Sequence, residues 1–320
     1  KAFGTSVENV RIQKATFIMG DLDSIFKIAL YNPITVTAKI LGLAPLPNWM
    51  TVTSPAFANK FFLFLTFLYL KKDFKDENIL LLFFLVPSLI LYSSLSMRDN
   101  IIIIFSILFL ISMLKDRFIL GLLLLYPLLI LKIQMFAFFT LYYLGRLFFR
   151  AHKKLRYLGI FSIILFFGSL AIEDEILLVI NTYRYGFAAE DLDMGNGYVG
   201  YQAWGIYGYD LMHQYTLHSL VEVVYKSILG LPNLLLMPLP WNWSNIFYPI
   251  QALESGFLIA MYVLIAMKFN LINNREFIYL TFVLTLSLML YSLIAFNEGT
   301  FVRYRFTLFY PFLLAIYYVG

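Results

Sequence analysis

Long apolar runs recur along this chain, each closed by a short charged cluster, and that repetition constrains the fold more than any other feature. By position the runs cover 52–70, 79–95, 101–114, 118–149, 157–172, 246–267, 277–296 and 306–319. Soluble domains average roughly 45–50% apolar and about 25% charged residues. This chain of 320 residues is 61% apolar and 13% charged. The pattern predicts an all-α, polytopic integral membrane protein with about nine transmembrane or re-entrant helices and one large outer-face loop. Several runs fall short of the ~20 residues that a simple span needs, which predicts tilted, thinned or re-entrant segments. Thirty-three Phe and 23 Tyr suit membrane interfaces and packed intramembrane helices.

The basic residues then orient the chain. The 118–149 run exceeds one span and is interrupted by Lys132 and Gln134, so it reads as a hairpin of two short helices. With that hairpin, Lys71, Lys72, Lys75, Lys115, Arg117, Arg146, Arg150, Lys153, Lys154, Arg156, Lys268 and Arg275 all fall on one side. The opposite loops beyond residue 70 hold Arg98, Lys132, Arg184, Lys226, Arg303 and Arg305. Twelve against six assigns the first side to the cytoplasm and the second to the outer face. A single helix over 118–149 would put the clusters at 115–117 and 146–156 on opposite faces. The formal charge of +5 is therefore spent on topology rather than gathered into a nucleic-acid patch, and no nucleic-acid partner is expected.

Four stretches follow: an outer-face amphipathic segment at 1–51, a first bundle half at 52–172, a large outer-face loop at 173–245, and C-terminal transmembrane helices at 246–320. The loop is rich in Tyr, Gly and Trp, unlike a disordered linker. Within it, Leu217, Leu220, Val221, Val224 and Ile228 form one apolar face, with Glu222 and Lys226 paired at i,i+4 opposite; this predicts a helix in the outer interface. Pro232, Pro238 and Pro240 are expected to end it before Trp241. The absence of cysteine excludes disulfides, thiolate metal sites and cysteine nucleophiles. The chain opens on Lys1, so an upstream segment is expected; no cleavable signal peptide is visible.

Candidate chemistry gathers on the outer face. Arg98-Asp99 joins two apolar runs directly, and Arg303 and Arg305 lie in a stretch, 297–305, expected as a short turn before the last run. Ionisable groups at a membrane boundary, against the positive-inside trend, are costly without a partner. Phosphate is the natural partner for arginine, whose planar fork binds its oxygens bidentately. The bland alternatives are helix-end charges, pairing with Glu298, or lipid headgroups. Glu254, a turn or two into the run at 246–267, and Glu298 are candidate general bases; a salt bridge to an outer arginine is the competing role for Glu254. Arg184, flanked by Tyr183 and Tyr185, could bind sugar or phosphate, or simply stack in a loop. Trp241 and Trp243 could stack on a sugar face, although interfacial anchoring is the commoner use. Glu173-Asp174-Glu175 could ligate a hard cation, but directly after a run it reads first as a helix end. His213 and His218 are spaced wrongly for a helical metal pair, and neither a Walker loop nor a GxGxxG fingerprint occurs. No metal or cofactor is expected.

Taken together, Ser96-Met97-Arg98-Asp99 between two runs, Pro238-Leu239-Pro240-Trp241 leading to Gln251-Ala252-Leu253-Glu254, and Glu298-Gly299-Thr300-Phe301-Val302-Arg303-Tyr304-Arg305 before the last run resemble the bacterial oligosaccharide repeat-unit polymerases of the Wzy or EpsG type. The likeness is spread from about residue 80 to the C terminus, with no single diagnostic motif. It implies a multi-pass protein of the bacterial inner membrane whose periplasmic face, the outer face of 173–245, carries the transfer of a growing glycan from undecaprenyl pyrophosphate to a sugar hydroxyl of an incoming lipid-linked repeat unit, without nucleotide sugar or metal. Membrane lipids surround such an enzyme, and a chain-length regulator can accompany it. On this chain the resemblance makes Arg98, Arg303 and Arg305 candidates for stabilising the pyrophosphate leaving group, and Glu254 or Glu298 the base. Such polymerases commonly have more spans and two large outer loops, whereas this chain has about nine and one.

Other readings remain beside it. A flippase or transporter of lipid-linked sugars should place ionisable groups near mid-span, often within inverted repeats; the sequence has neither pattern. A non-catalytic assembly protein would tolerate replacement of Arg98 and Arg303. A glycosyltransferase with a lipid-monophosphate sugar donor is the nearest competitor. Such enzymes use an acidic pair in the first outer loop, and Asp21 and Asp23 keep it open, unless these only cap the segment at 25–30.

Overall fold

The computed structural model describes residues 53–74, 76–94, 98–152, 173–192, 216–238, 247–294 and 298–320. Among them every regular element is helical: α1 (Thr53–Lys71), α2 (Glu77–Phe84), α3 (Pro87–Ser94), α4 (Arg98–Leu114), α5 (Phe118–Leu131), α6 (Ile133–His152), α7 (Glu173–Leu192), α8 (Leu220–Leu236), α9 (Phe247–Lys268), α10 (Arg275–Ile294) and α11 (Glu298–Val319), with a 3-10 turn at Leu271–Asn273. The expected amphipathic segment at 1–51 and the run at 157–172, with Asp21, Asp23, His213, Trp241 and Trp243, lie outside the described residues. The described residues form two compact units. One holds those within Leu158–Met237 and Leu288–Val302, the other those within Ala29–Tyr157, Pro238–Ser287 and Arg303–Gly320.

The larger unit is built around α4. Ile101, Ile102, Ile103 and Ile104 are all buried. Four consecutive residues at about 100° each sweep the whole circumference, so this helix is enclosed on every side. It packs on α5, and α5 on α6. The expected hairpin over 118–149 is present: Lys132 alone, in extended conformation, separates the arms. The rings of Phe118 and Tyr143, at the far end of the two arms, meet at 6.3 Å. The reversal between α4 and α5 uses Asp116 at φ 57°, a left-handed conformation that Asp tolerates better than most residues. These two reversals put Arg98 and Lys132 at one end of the α4–α6 bundle and Lys115, Asp116 and Arg146 at the other.

The second end is tied by Arg146, whose guanidinium bonds Glu276 and lies 3.5 Å from Asp116. Beside it, Tyr142 and Tyr279 stack at 5.1 Å. The Tyr279 hydroxyl donates to the carbonyls of Leu141 and Tyr142 at 3.0 Å. A Cβ at Gly145 would lie 1.8 Å from that hydroxyl, so only glycine lets α6 and α10 approach this closely.

Two sequence expectations are corrected. The run at 79–95, expected as one span, is two short helices, because Pro87 lacks an N–H and biases Val86 away from helical geometry. The stretch 297–305 is not a turn: from Glu298 onward it is the first two turns of α11. Phe301, Val302, Tyr304 and Phe306 are all buried there, so apolar packing carries the helix back toward its N terminus. As expected of the proline series, α8 ends before Trp241, at Leu236, although it runs through Pro232.

In the smaller unit, much of the expected loop at 173–245 is helix. Glu173, Asp174 and Glu175 open α7, where carboxylates favour the positive helix end. The Glu173 carboxylate also accepts the N–H of Leu220 at 2.8 Å, and the Asn181 amide pairs with both backbone groups of Leu217 at 2.9 Å. Ser219 then caps α8 through the N–H of Glu222. The Glu222–Lys226 pair forms at 2.7 Å, as the spacing predicts. The buried face of α8, Leu220, Val223, Ser227 and Leu234, is turned by roughly a quarter revolution from the predicted one. Val221, Val224 and Ile228 therefore face outward.

Two helical segments, Tyr248–Lys268 and Arg275–Ile294, are long and apolar enough to cross a membrane.

Candidate functional site

Several of the candidate side chains gather at the end of the bundle opposite Arg146. Asp99 and Asn100 lie in the first turn of α4, where an Asp side chain suits the helix dipole. Both are fully buried. The Nε of Arg303, in the second turn of α11, donates to Asp99 Oδ2 at 2.7 Å. Asp99 Oδ1 has no hydrogen-bond partner among the described residues. The Asn100 amide donates to the Asn59 carbonyl of α1 at 3.2 Å, which anchors the start of α4. Arg303 keeps 38% of its side chain exposed while Asp99 has none, so the arginine is the outward member of the pair.

Lys132, in the turn between α5 and α6 and outside both helices, completes the cluster. Its ammonium stands over the Tyr304 ring at 4.2 Å from the centroid. Burial is the largest influence on it and lowers its pKa to about 7. Asp99 opposes that shift, while Arg303 and Arg98 add to it. Among the described residues, Arg98, Lys132 and Arg303 thus lie in the field of Asp99. The sequence reading counted Lys132 only as an outer-face charge and a helix interruption. A sharper signal was available: it is the lone cation between Phe118 and Gly145, with no acid in that stretch to neutralise it.

Arg303 and Arg305 do not act side by side. Two residues on a helix are about 200° apart, so the two guanidinium groups leave α11 in nearly opposite directions. Arg305 is buried and adds to the field at Glu254. Glu254, on α9, is also buried and accepts twice from Ser88: from its N–H at 3.0 Å and its hydroxyl at 2.5 Å. Ser88 sits in the first turn of α3, immediately after the break at Pro87. Across that break the Phe83 carbonyl at the end of α2 accepts from the Tyr310 hydroxyl at 2.9 Å. Side chains of α9 and α11 thus satisfy backbone and hydroxyl groups that flank an interrupted helix.

The remaining predicted residues lie elsewhere or are not described. Arg184 belongs to the smaller unit, where it is buried and donates to the Leu293 carbonyl in the last turn of α10. Glu298 opens α11, and its side chain is outside the described residues, as are Trp241 and Trp243. Among the described residues, no three His, Asp or Glu side chains converge as a metal site. The arrangement at Arg98, Asp99, Lys132 and Arg303 gathers three cationic side chains near one carboxylate among the described residues, a composition suited to an anion, and Asp99 orients Arg303. No family model, no curated protein and no solved structure matches this chain.

Proposed function

We propose that the chain is a polytopic protein of the bacterial inner membrane, with about nine transmembrane or re-entrant helices and its site facing the periplasm. We propose further that it polymerises lipid-linked oligosaccharides. Outward-facing Phe57, Phe64, Leu122, Leu123, Leu253 and Leu264 support the membrane reading. Apolar surface of that kind on helix after helix is unfavourable in water and natural in lipid. Only 28% of the apolar window in Tyr248–Lys268 is buried, as expected for a helix that faces acyl chains.

The observation that carries the functional reading is the gathering of Arg98, Lys132 and Arg303 around Asp99. In the reaction, a sugar hydroxyl of the incoming lipid-linked repeat unit attacks the anomeric carbon of the growing glycan. The anomeric carbon–oxygen bond to undecaprenyl pyrophosphate breaks, and the pyrophosphate keeps the electron pair. Arg98 and Arg303 stabilise that developing charge, with Arg305 behind them on the same helix as Arg303. The hydroxyl proton passes to Glu254 or Glu298. Glu254 would have to release a Ser88 bond to accept it. No metal or nucleotide enters the scheme, and the lipid-linked substrate itself brings the leaving group.

The test uses purified protein in lipid with the host's own undecaprenyl-pyrophosphate-linked repeat unit as sole substrate, and resolves the products as a gel ladder. Arg98→Ala and Arg303→Ala variants, matched to the parent by size exclusion, should lose the ladder. A parent that makes no ladder but transfers one sugar from a lipid monophosphate donor would instead be a single-sugar transferase. A ladder that survives both substitutions would overturn the site.

A further inference from the structure

The helix interruption at Pro87 has two ends, and they are answered differently. In a continuous helix, residues 87 and 88 would donate to the carbonyls of Phe83 and Phe84. Proline has no N–H, and the Ser88 N–H goes to Glu254 at 3.0 Å instead. The Tyr310 hydroxyl donates to the Phe83 carbonyl in its place, while the carbonyl of buried Phe84 loses its helical donor. Glu254 thus meets the positive, N-terminal end of α3, whereas the negative, C-terminal end of α2 has no basic residue in its last turn. We infer that the break at Pro87 is a binding site for a monovalent metal cation, held between the Glu254 carboxylate and the end of α2, with Gln251 Oε1, Ser88 Oγ and the Phe84 carbonyl as neutral oxygen ligands.

Gln251 lies one turn before Glu254 on the same face of α9. Its Oε1 is buried and has no hydrogen-bond partner among the described residues. The Ser255 hydroxyl donates to the main-chain carbonyl of Gln251 and leaves that amide oxygen for another partner. Buried acceptors without a donor are costly, and one metal ion satisfies several of them at once. Both Glu254 oxygens accept from Ser88, yet each keeps further lone pairs, as does the Ser88 hydroxyl oxygen. Glu254 forms no ion pair among the described residues. Arg305 acts on it, but less than burial or either Ser88 bond does. One carboxylate among neutral oxygens matches a single positive charge, whereas divalent ions usually draw on more carboxylates. Broken helices whose freed carbonyls face a cavity are also where membrane proteins commonly hold alkali ions. The site is separate from the cluster at Asp99 and does not depend on the polymerase reading. A cation held there would leave Glu298 as the base in that scheme.

The experiment is thermal unfolding of the full chain in nanodiscs of zwitterionic lipid. Sodium or potassium chloride replaces N-methylglucamine chloride stepwise at constant ionic strength. With an alkali ion the melting temperature of the parent should rise along a saturating curve. The gain should reach several degrees at about a hundredfold excess over half-saturation. Glu254→Gln, whose amide oxygen still accepts from Ser88, should abolish the dependence. Gln251→Leu should raise the half-saturating concentration by about tenfold, the scale of one charge-assisted contact. Should Glu254→Gln fail to fold, the shift in Gln251→Leu decides the matter by itself.

A parent that melts at the same temperature in all three salts overturns the inference. So does a Glu254→Gln variant that keeps the parent's response, or a Gln251→Leu variant that titrates as the parent does. Unfolding requires no turnover, so the two readings can fail separately. A saturable alkali-ion response without a polymer ladder would sink the polymerase and leave the cation site standing.

Discussion

Glu254 and Ser88, 166 residues apart in sequence, are joined by two hydrogen bonds that use both carboxylate oxygens. This pairing turns a candidate base into a support for the interrupted helix at Pro87. Ser88→Ala should lower stability by about 1–3 kcal/mol, the range for removing one partner of a buried charged hydrogen bond. Thermal unfolding of the purified protein measures it. An unchanged melting temperature would show that Glu254 does not depend on Ser88 and is available for other work.

Asp99 and Arg303 form the second relationship to test. Asp99 is fully buried, but Arg303 is more than a third exposed, so solvent screening moderates their attraction. Asp99→Ala and Arg303→Ala should each destabilise the protein, and the double-mutant cycle should return a coupling on the order of 1 kcal/mol. A coupling near zero would mean that their contact does no energetic work.

Gly145 sets how close α6 and α10 can come. In Gly145→Ala the new methyl would meet the Tyr279 hydroxyl at 1.8 Å and Cζ at 2.6 Å. Destabilisation of about 1–3 kcal/mol follows from such overpacking. Adding Tyr279→Phe should recover only part of it, because the ring carbon still intrudes. Full recovery, read by the same melting assay, would point to the hydroxyl as the whole obstacle.

Lys132 makes stability depend on pH with a defined sign. Its folded pKa, about 7, lies below the ordinary lysine value of 10.5. Between those values the unfolded chain holds a proton that the folded chain has released, so stability rises with pH. The contribution is fully present above 10.5 and is lost as pH falls through about 7. Melting temperatures of the parent should therefore gain on those of Lys132→Met from pH 7 to pH 9.5. A constant difference across that range would contradict a lysine that loses its proton on folding.

The helical class and the positions of most elements were legible from apolar periodicity alone, and Lys132 marked the hairpin because a single cation stops an apolar run. Pro87 was equally visible, yet the run at 79–95 still read as continuous. Composition reports burial, while a break is stable only when other elements supply the missing partners. Those partners, Glu254 and Tyr310, come from helices far along the chain. The same limit applies to α8: periodicity located the helix and the Glu222–Lys226 pair, but Val221, Val224 and Ile228 face outward because Leu217 and Leu220 are held by Asn181 and Glu173 on α7.

By itself, the sequence determined that this chain is helical, that its charges collect between apolar runs, and that Arg98, Asp99 and Arg303 deserved to be considered together. Each of these follows from local properties, since hydrophobic period and charge position need no knowledge of the fold. Only the tertiary structure decided that Arg303 reaches Asp99 while Arg305 turns toward Glu254. Once the stretch from Glu298 is helix, a spacing of two residues sends neighbouring side chains apart. Tertiary structure alone also brought Lys132 beside Arg303 and Tyr304. That meeting depends on two chain reversals and the packing of α11, and no local pattern encodes it.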